Sequence, residues 1–258
     1  MRRLTWATGA LATLLAGIWL GLNPADLLAA DTELWWEFIS AAARPALVDE
    51  ATGEVFLPPL VLEALWATVS FAAAGMGLAV VVAAPLTLLA STRFSGGGWL
   101  NTSVRVLIAS MRSVHELLWA ILFLAALGLN EASAVVAIAI PYAGTLAKVF
   151  SELLDETPTE AANAMRAAGA TELQALVFGV IPQAGPDLAA YGLYRFECAI
   201  RSSAVLGFFG FPTLGYALSS SADSAHFHEV WTYLYALFLL VWIADRWSWA
   251  VRRRMVRQ

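Results

Sequence analysis

Three observations predict an all-α integral membrane protein with about six transmembrane helices. Hydrophobic residues make up 60% of the 258 positions and charged residues 14%, and the mean hydropathy is +0.69. A soluble domain carries about 25% charged residues. Apolar runs of about 20 residues, the length needed to cross a bilayer core, recur along the chain. The basic residues also gather at alternate ends of those runs, the pattern that sets the orientation of membrane helices.

The spans fall at roughly 5–22, 61–89, 104–128, 131–150, 187–210 and 229–249. Met1-Arg2-Arg3 before the first run resembles the start of a signal peptide, but its apolar stretch exceeds the usual ~7–15-residue core, so an uncleaved span is expected. Residues 23–60, with Trp35, Trp36, Pro45, Pro58 and Pro59, read as an external segment with an interfacial helix. Arg105, Arg112, His115 and Glu116 interrupt the first half of the third span, so a surface helix running into a span is the alternative there. Pro85 and Pro141 lie inside spans, where neighbouring helices satisfy the freed backbone groups. No repeat or low-complexity tract is evident, and a single transmembrane domain is expected over 1–258.

Arg2, Arg3, Arg93, Lys148, Arg166, Arg252, Arg253, Arg254 and Arg257 fall on one side of a six-span chain, which is therefore read as cytoplasmic. The opposite side holds Arg44 and seven acids: Asp26, Asp31, Glu33, Glu37, Asp49, Glu50 and Glu54. Both termini are expected inside. The formal charge of −5 says little about partners, because charges sort by membrane side, and no nucleic-acid partner is expected.

Residues 158–182, between the fourth and fifth spans, read differently from the rest. Thr157-Pro158-Thr159-Glu160 fits a capping box with Pro at the first helical position. Ala161, Ala164, Met165 and Ala168 follow at helical spacing, and Gly169 is a natural stop. Thr171 to Gln174 repeats the cap, and Leu173, Leu176, Val177 and Val180 form a second apolar stripe. The prediction is a cytoplasmic hairpin of two short helices with a small-residue face. A mere connection would be shorter.

Glu160-Ala161-Ala162, Asn163, Met165, Gly169, Ala170 and Pro182 resemble the coupling loop of ABC importer permeases. Leu193 to Gly207, L-Y-R-F-E-C-A-I-R-S-S-A-V-L-G, and Arg112 to Ala120, R-S-V-H-E-L-L-W-A, are similar to the phosphonate (PhnE-type) branch of that family. The likeness covers roughly the last 150 residues. Asn163 stands where the loop motif has Glu, His115 where the branch has Pro, and Gly210-Phe211-Pro212-Thr213-Leu214-Gly215 where it has a richer glycine run.

The resemblance implies the type I importer (MetI-like) architecture and the membrane subunit of an ATP-driven importer of a phosphonate or related phosphorus oxyanion. It implies a second permease subunit, identical or closely related, a cytoplasmic ABC ATPase dimer, an external solute-binding protein and a place in the bacterial inner membrane. Gly207, Gly210 and Gly215 would belong to a gate; a plain turn at the membrane exit is the simpler account. Another small solute such as an amino acid remains open as cargo.

The chain's own chemistry agrees with a transport role. It holds no G-x-x-x-x-G-K-[ST] phosphate loop, and Lys148 is its single lysine, so ATP would be hydrolysed on a partner and no cofactor is expected here. Charged residues inside spans cost about 2.5–3.5 kcal/mol each and are functional candidates. Glu197 and Arg201 are spaced i, i+4 in the favourable order, and Arg112 and Glu116 the reverse. Arg195 faces elsewhere on its helix, and Arg195–Arg201 lie roughly 12–21 Å along it. These residues either pair to hold helices together or leave surplus positive charge along an anion path, where the guanidinium fork suits phosphorus oxygens.

His226 and His228, near Asp223 and Glu229, read as a surface placement, and no metal is expected. Cys198 excludes an internal disulfide and reads as packing. An ion-coupled carrier would show paired half-repeats with interrupted helices, and an intramembrane enzyme would need a nucleophile and base or metal ligands. Neither is evident.

Overall fold

The computed structural model describes residues 2–21, 32–48 and 59–255 and is helical throughout. Two compact units emerge, Met1–Pro45 and Ala46–Gln258. The first holds α1 (Arg2–Trp19) and α2 (Thr32–Ala41). Expectations for Asp26, Asp31, Asp49, Glu50, Glu54, Pro58 and Arg257 lie outside the described residues.

The second unit is built on α3 (Pro59–Ala90) and α7 (Glu131–Glu156), which pack along their lengths. Their seam is made of small residues, Ala72, Ala79 and Ala83 on α3 against Ala134, Ala137 and Ala143 on α7, with Phe71, Met76, Ile138 and Leu146 filling the gaps. Small side chains let helix backbones approach where no hydrophobic force separates protein from lipid. A Cβ on Gly75 would lie 2.8 Å from Ile138 Cγ2, so the seam has no room for one.

After α4 (Thr92–Ser95), α5 (Trp99–Ser113) and α6 (Glu116–Leu127) both pack on α7. The expected third span is thus two helices, bent by 88° where Val114 turns extended and His115 caps α6 by accepting from the Leu117 amide.

Next come α8 (Glu160–Ala167) and α9 (Glu172–Ala175), then a π-turn (Leu176–Val180) that leads into α10 (Ile181–Val205). A 3-10 turn (Leu206–Phe209), α11 (Leu214–Asp223) and α12 (Phe227–Met255) complete the unit.

Among the described residues, three helices are long and apolar enough to cross a membrane: Leu60–Ala90, Glu131–Glu156 and Phe227–Met255. The bent α5–α6 pair would be a fourth. The apolar stretch of α1, Thr8–Trp19, is shorter, and α10 carries Asp187, Arg195, Glu197 and Arg201, so neither stands in that set.

Candidate functional site: an arginine-lined cavity and an exposed hairpin

The break between α5 and α6 opens a cavity of about 360 Å³ against α7 and α10. Arg112, Arg195 and Arg201 line it, together with Glu116, Tyr142 and Ser202. Each arginine is held differently. Arg195 donates Nε to the Tyr191 hydroxyl at 3.1 Å and lies over the Tyr142 and Tyr191 rings, 5.8 and 5.6 Å from their centroids. Arg201 pairs with Glu197 at 3.4 Å, as its i, i+4 spacing predicts; the Glu197 side chain is 12% exposed and that of Arg201 52%. Arg201 also donates to Cys198 Sγ at 3.5 Å, so the cysteine borders the cavity and is not simply packed in apolar surroundings. The Arg112 side chain makes no hydrogen bond or ion pair among the described residues.

The expected Arg112–Glu116 helical pair does not form, because the helix ends at Ser113 and restarts beyond the bend. Glu116 instead accepts from Ser202 Oγ at 2.8 Å, and its other oxygen lies 3.6 Å from His115 Nε2. Ser202 is hydrogen-bonded in turn to the Tyr142 hydroxyl at 3.0 Å. Tyr142, Thr145 and Ser202 were not singled out from sequence. The available signal was that Arg195, Cys198 and Ser202 fall at i, i+3, i+7, one helix face. Arg112 also borders a smaller cavity of about 120 Å³, lined by Arg105, Lys148 and Glu152. There Lys148 Nζ contacts both Glu152 oxygens, at 2.6 and 2.8 Å.

The hairpin stands as two short helices, with one of the two expected caps. Thr171 and Gln174 complete a capping box, the Gln174 amide reaching Thr171 Oγ1 and the Thr171 amide reaching Gln174 Oε1. The box expected at 157–160 is absent: Thr157 ends α7, its hydroxyl turned back to the Leu153 carbonyl, and Thr159 starts α8 without a side-chain cap. Gly169 stops α8 at φ +92°, with its own amide on Arg166 O and that of Ala170 on Met165 O, a Schellman ending.

The buried stripe keeps Leu176 and Val180 of the expected set and differs elsewhere. Ala162, Ala175, Leu176 and Val180 pack under Leu154 and Ala184, whereas Ala164, Ala168 and Leu173 face outward. The π-turn shifts the register, and Gly179 lets it seat on Ala162, whose Cα would be 3.1 Å from any added Cβ. Asn163 accepts from Arg166 Nη1 at 2.9 Å, and Arg166 forks onto Glu172 at 2.8 and 2.7 Å, tying the two helices together. The Arg166 hydrogen bond holds the Glu172 carboxyl below its ordinary range. Pro182 lies in the first turn of α10.

Residues 75–257 match the family described as "Binding-protein-dependent transport system inner membrane component". The chain belongs to this family. It is therefore an inner-membrane permease subunit of an ABC importer, with ATP hydrolysis left to a separate polypeptide. The permease is 33% identical over 189 residues to the phosphite transport system permease protein PtxC of Stutzerimonas stutzeri, covering 72% of this chain and 68% of that one. It is 28% identical to the putative phosphite transport system permease protein HtxC of the same organism, covering 82% and 73%. Against the phosphate-import permease protein PhnE of Mycolicibacterium smegmatis it is 30% identical, covering 73% of this chain and 36% of that one. A methionine ABC transporter, MetNI, in an inward-facing conformation shares the fold at a TM-score of 0.68 and 21% identity, covering 76% and 96%.

In the permease, the glycines after α10 serve close packing. A Cβ on Gly207 would collide with the Tyr216 amide and Gly215, and one on Gly215 with the Ala204 carbonyl. Gly210 sits at φ +94°. Thr213 Oγ1 binds Ala204 O, and Thr68 binds the Leu214 amide and, through its carbonyl, Ser203. A cavity of about 580 Å³ opens beside this knot, lined by Glu63, Tyr216, Ser221, His226 and Glu229 among others. Glu229 is 4% exposed and accepts from Ser221 at 2.8 Å, with His226 Nδ1 3.6 Å away. Among the described residues no group of three or more His, Cys, Asp or Glu could hold a metal.

Proposed function

We propose that this permease passes a small phosphorus oxyanion, a phosphonate or phosphite, along a path that includes the cavity between α5, α6, α7 and α10. The observation that carries this reading is the convergence of Arg112, Arg195 and Arg201 on one cavity, with Arg112 unpaired among the described residues. A guanidinium offers a planar fork of donors that matches phosphorus oxygens. The phosphite and phosphate permeases to which the chain is similar support the same cargo class. The pairing of Arg201 with Glu197 favours a structural role for that arginine, which leaves Arg112 as the cation best placed to meet cargo.

The working assembly is two permease subunits, an ATPase dimer on the side of the 158–182 hairpin and a binding protein on the opposite face. Both termini lie with the hairpin on the cytoplasmic side, which the basic run Arg252–Arg254 at the end of α12 supports. Glu160, Ala161, Asn163, Met165, Gly169 and Ala170 form the ATPase contact, and Gly207, Gly210 and Gly215 the hinge of the gate. Closure of the ATPases moves the hairpin and opens the path outward. Vesicles with loaded binding protein outside and ATP inside should accumulate labelled methylphosphonate or phosphite, and uptake should need every component. Uptake of an amino acid without any phosphorus compound would overturn the cargo and leave the importer standing.

A further inference from the structure

The cavity holds donors and an acceptor together: the guanidinium groups of Arg112, Arg195 and Arg201 line it along with the Glu116 carboxylate. Ser202 donates its only hydroxyl proton to Glu116, so the Tyr142–Ser202 contact must run from the tyrosine hydroxyl to Ser202 Oγ. Both hydroxyl protons are thereby committed toward the carboxylate, and neither is left for cargo. What the Tyr142–Ser202–Glu116 chain offers an incoming oxyanion is an acceptor.

A fully deprotonated anion has nothing to donate and meets repulsion from Glu116. A monoanion that keeps one P–O–H can donate to Glu116 while its other oxygens accept from the arginines. We infer that Glu116 is a specificity residue that admits phosphorus oxyanions in their proton-bearing form and disfavours the fully deprotonated form. This rests on the phosphorus-oxyanion reading of the same cavity. No proton is transferred; the cargo keeps its proton as it passes. The asymmetry follows from hydrogen-bond capacity: without the cargo's proton, the partly exposed Glu116 carboxylate gains no donor from the cargo and meets a like charge.

Other titratable or charged groups face Glu116: His115 beside it, Arg112 on α5, Tyr142 on α7, and Arg195, Cys198 and Arg201 on α10, with Glu197 behind Arg201. A histidine can carry a proton of its own, so the test must separate that proton from the cargo's. Two cargoes do this, methylphosphonate and a fluorinated methylphosphonate whose last proton leaves at lower pH. Uptake into vesicles is measured across external pH with binding protein shown to be saturated with each cargo.

For the wild-type permease, the pH at which uptake falls should be lower for the fluorinated cargo, with a decline approaching about tenfold per pH unit above the cargo's own last pKa. Glu116→Gln, which can donate as well as accept, should flatten both profiles. A common midpoint for both cargoes in the wild type would overturn the inference and point to a protein group such as His115. Glu116→Gln profiles that still fall as steeply as the wild type's, at the same cargo-dependent pH, would overturn it equally. The wild-type comparison stands even if Glu116→Gln does not assemble. Absence of uptake for every phosphorus compound would instead defeat the cargo reading itself.

Discussion

Glu197 and Arg201 show how much one residue pair can do inside a long helix. Glu197 is nearly enclosed, whereas Arg201 reaches the cavity with half of its side chain open. Its Coulomb gain is therefore partly screened, and the cost of breaking it lies between the ~0–1 kcal/mol of exposed pairs and the ~3–5 kcal/mol of buried ones. Glu197→Gln should lower thermal stability in detergent by roughly 1–3 kcal/mol, and Glu197→Gln with Arg201→Gln should recover part of that loss. Recovery of assembly without transport would give Arg201 a role in the path, and recovery of both would leave it structural.

At Gly215 the limit is volume. The Ala204 carbonyl occupies the place of its missing Cβ, so Gly215→Ala should destabilise the 206–215 turn by at least the ~1–3 kcal/mol of an overpacked core. A matched Gly77→Ala, which faces open space, should be nearly neutral in the same melt. Equal behaviour of the two variants would contradict the close packing of the turn.

Among the elements, the hairpin was the most legible in sequence and also the most corrected. Its existence, its Gly169 stop and its Thr171 cap follow from local chemistry, since each involves groups within a few residues of each other. The buried face does not. The expected stripe of Leu173, Leu176, Val177 and Val180 is half kept: Leu176 and Val180 are buried, whereas Leu173 and Val177 face out. Ala175 takes a buried place, with a π-turn interrupting the regular 3.6-residue repeat from Leu176 on. Two helix ends compete for Thr157, and the end of α7 takes the hydroxyl.

Gly169→Leu forces a branched side chain into left-handed backbone at a cost of about 1–2 kcal/mol. It should cut uptake while membrane insertion and the ATPase activity of the complex persist; undiminished uptake would exclude the hairpin as coupler. Thr171→Ala should remove about 0.5–2 kcal/mol of local helix stability, read as faster amide exchange over Glu172–Leu176. Glu172 has a folded pKa below its unfolded value, so its contribution is present above the ordinary carboxyl range. It fades only as pH falls through the lowered value. Being exposed, that contribution is small.

Across the whole molecule, the prediction concerns sidedness. Cysteines at Ala164 and Ala168, which face outward, should crosslink to the ATPase subunit and react with reagents only from the cytoplasmic side. A cysteine at Ala162, which is 1% exposed, should stay unreactive in the intact permease. Crosslinks from Ala168 to the external binding protein would reverse the topology.

The sequence by itself determined the membrane class, the helical composition, the hairpin between two long helices and the Glu197–Arg201 pair. These depend on composition and on contacts a few residues long, which a chain carries wherever it goes. The tertiary structure decided the rest. It broke the third span by 88° at Val114–His115, so that Arg112 and Glu116 part, and it brought Ser202 to Glu116 and Tyr142 from 86 and 60 residues away. Nothing local selects such partners. They meet because α6 and α10 both pack against α7, and the polar groups caught between those helices satisfy one another there.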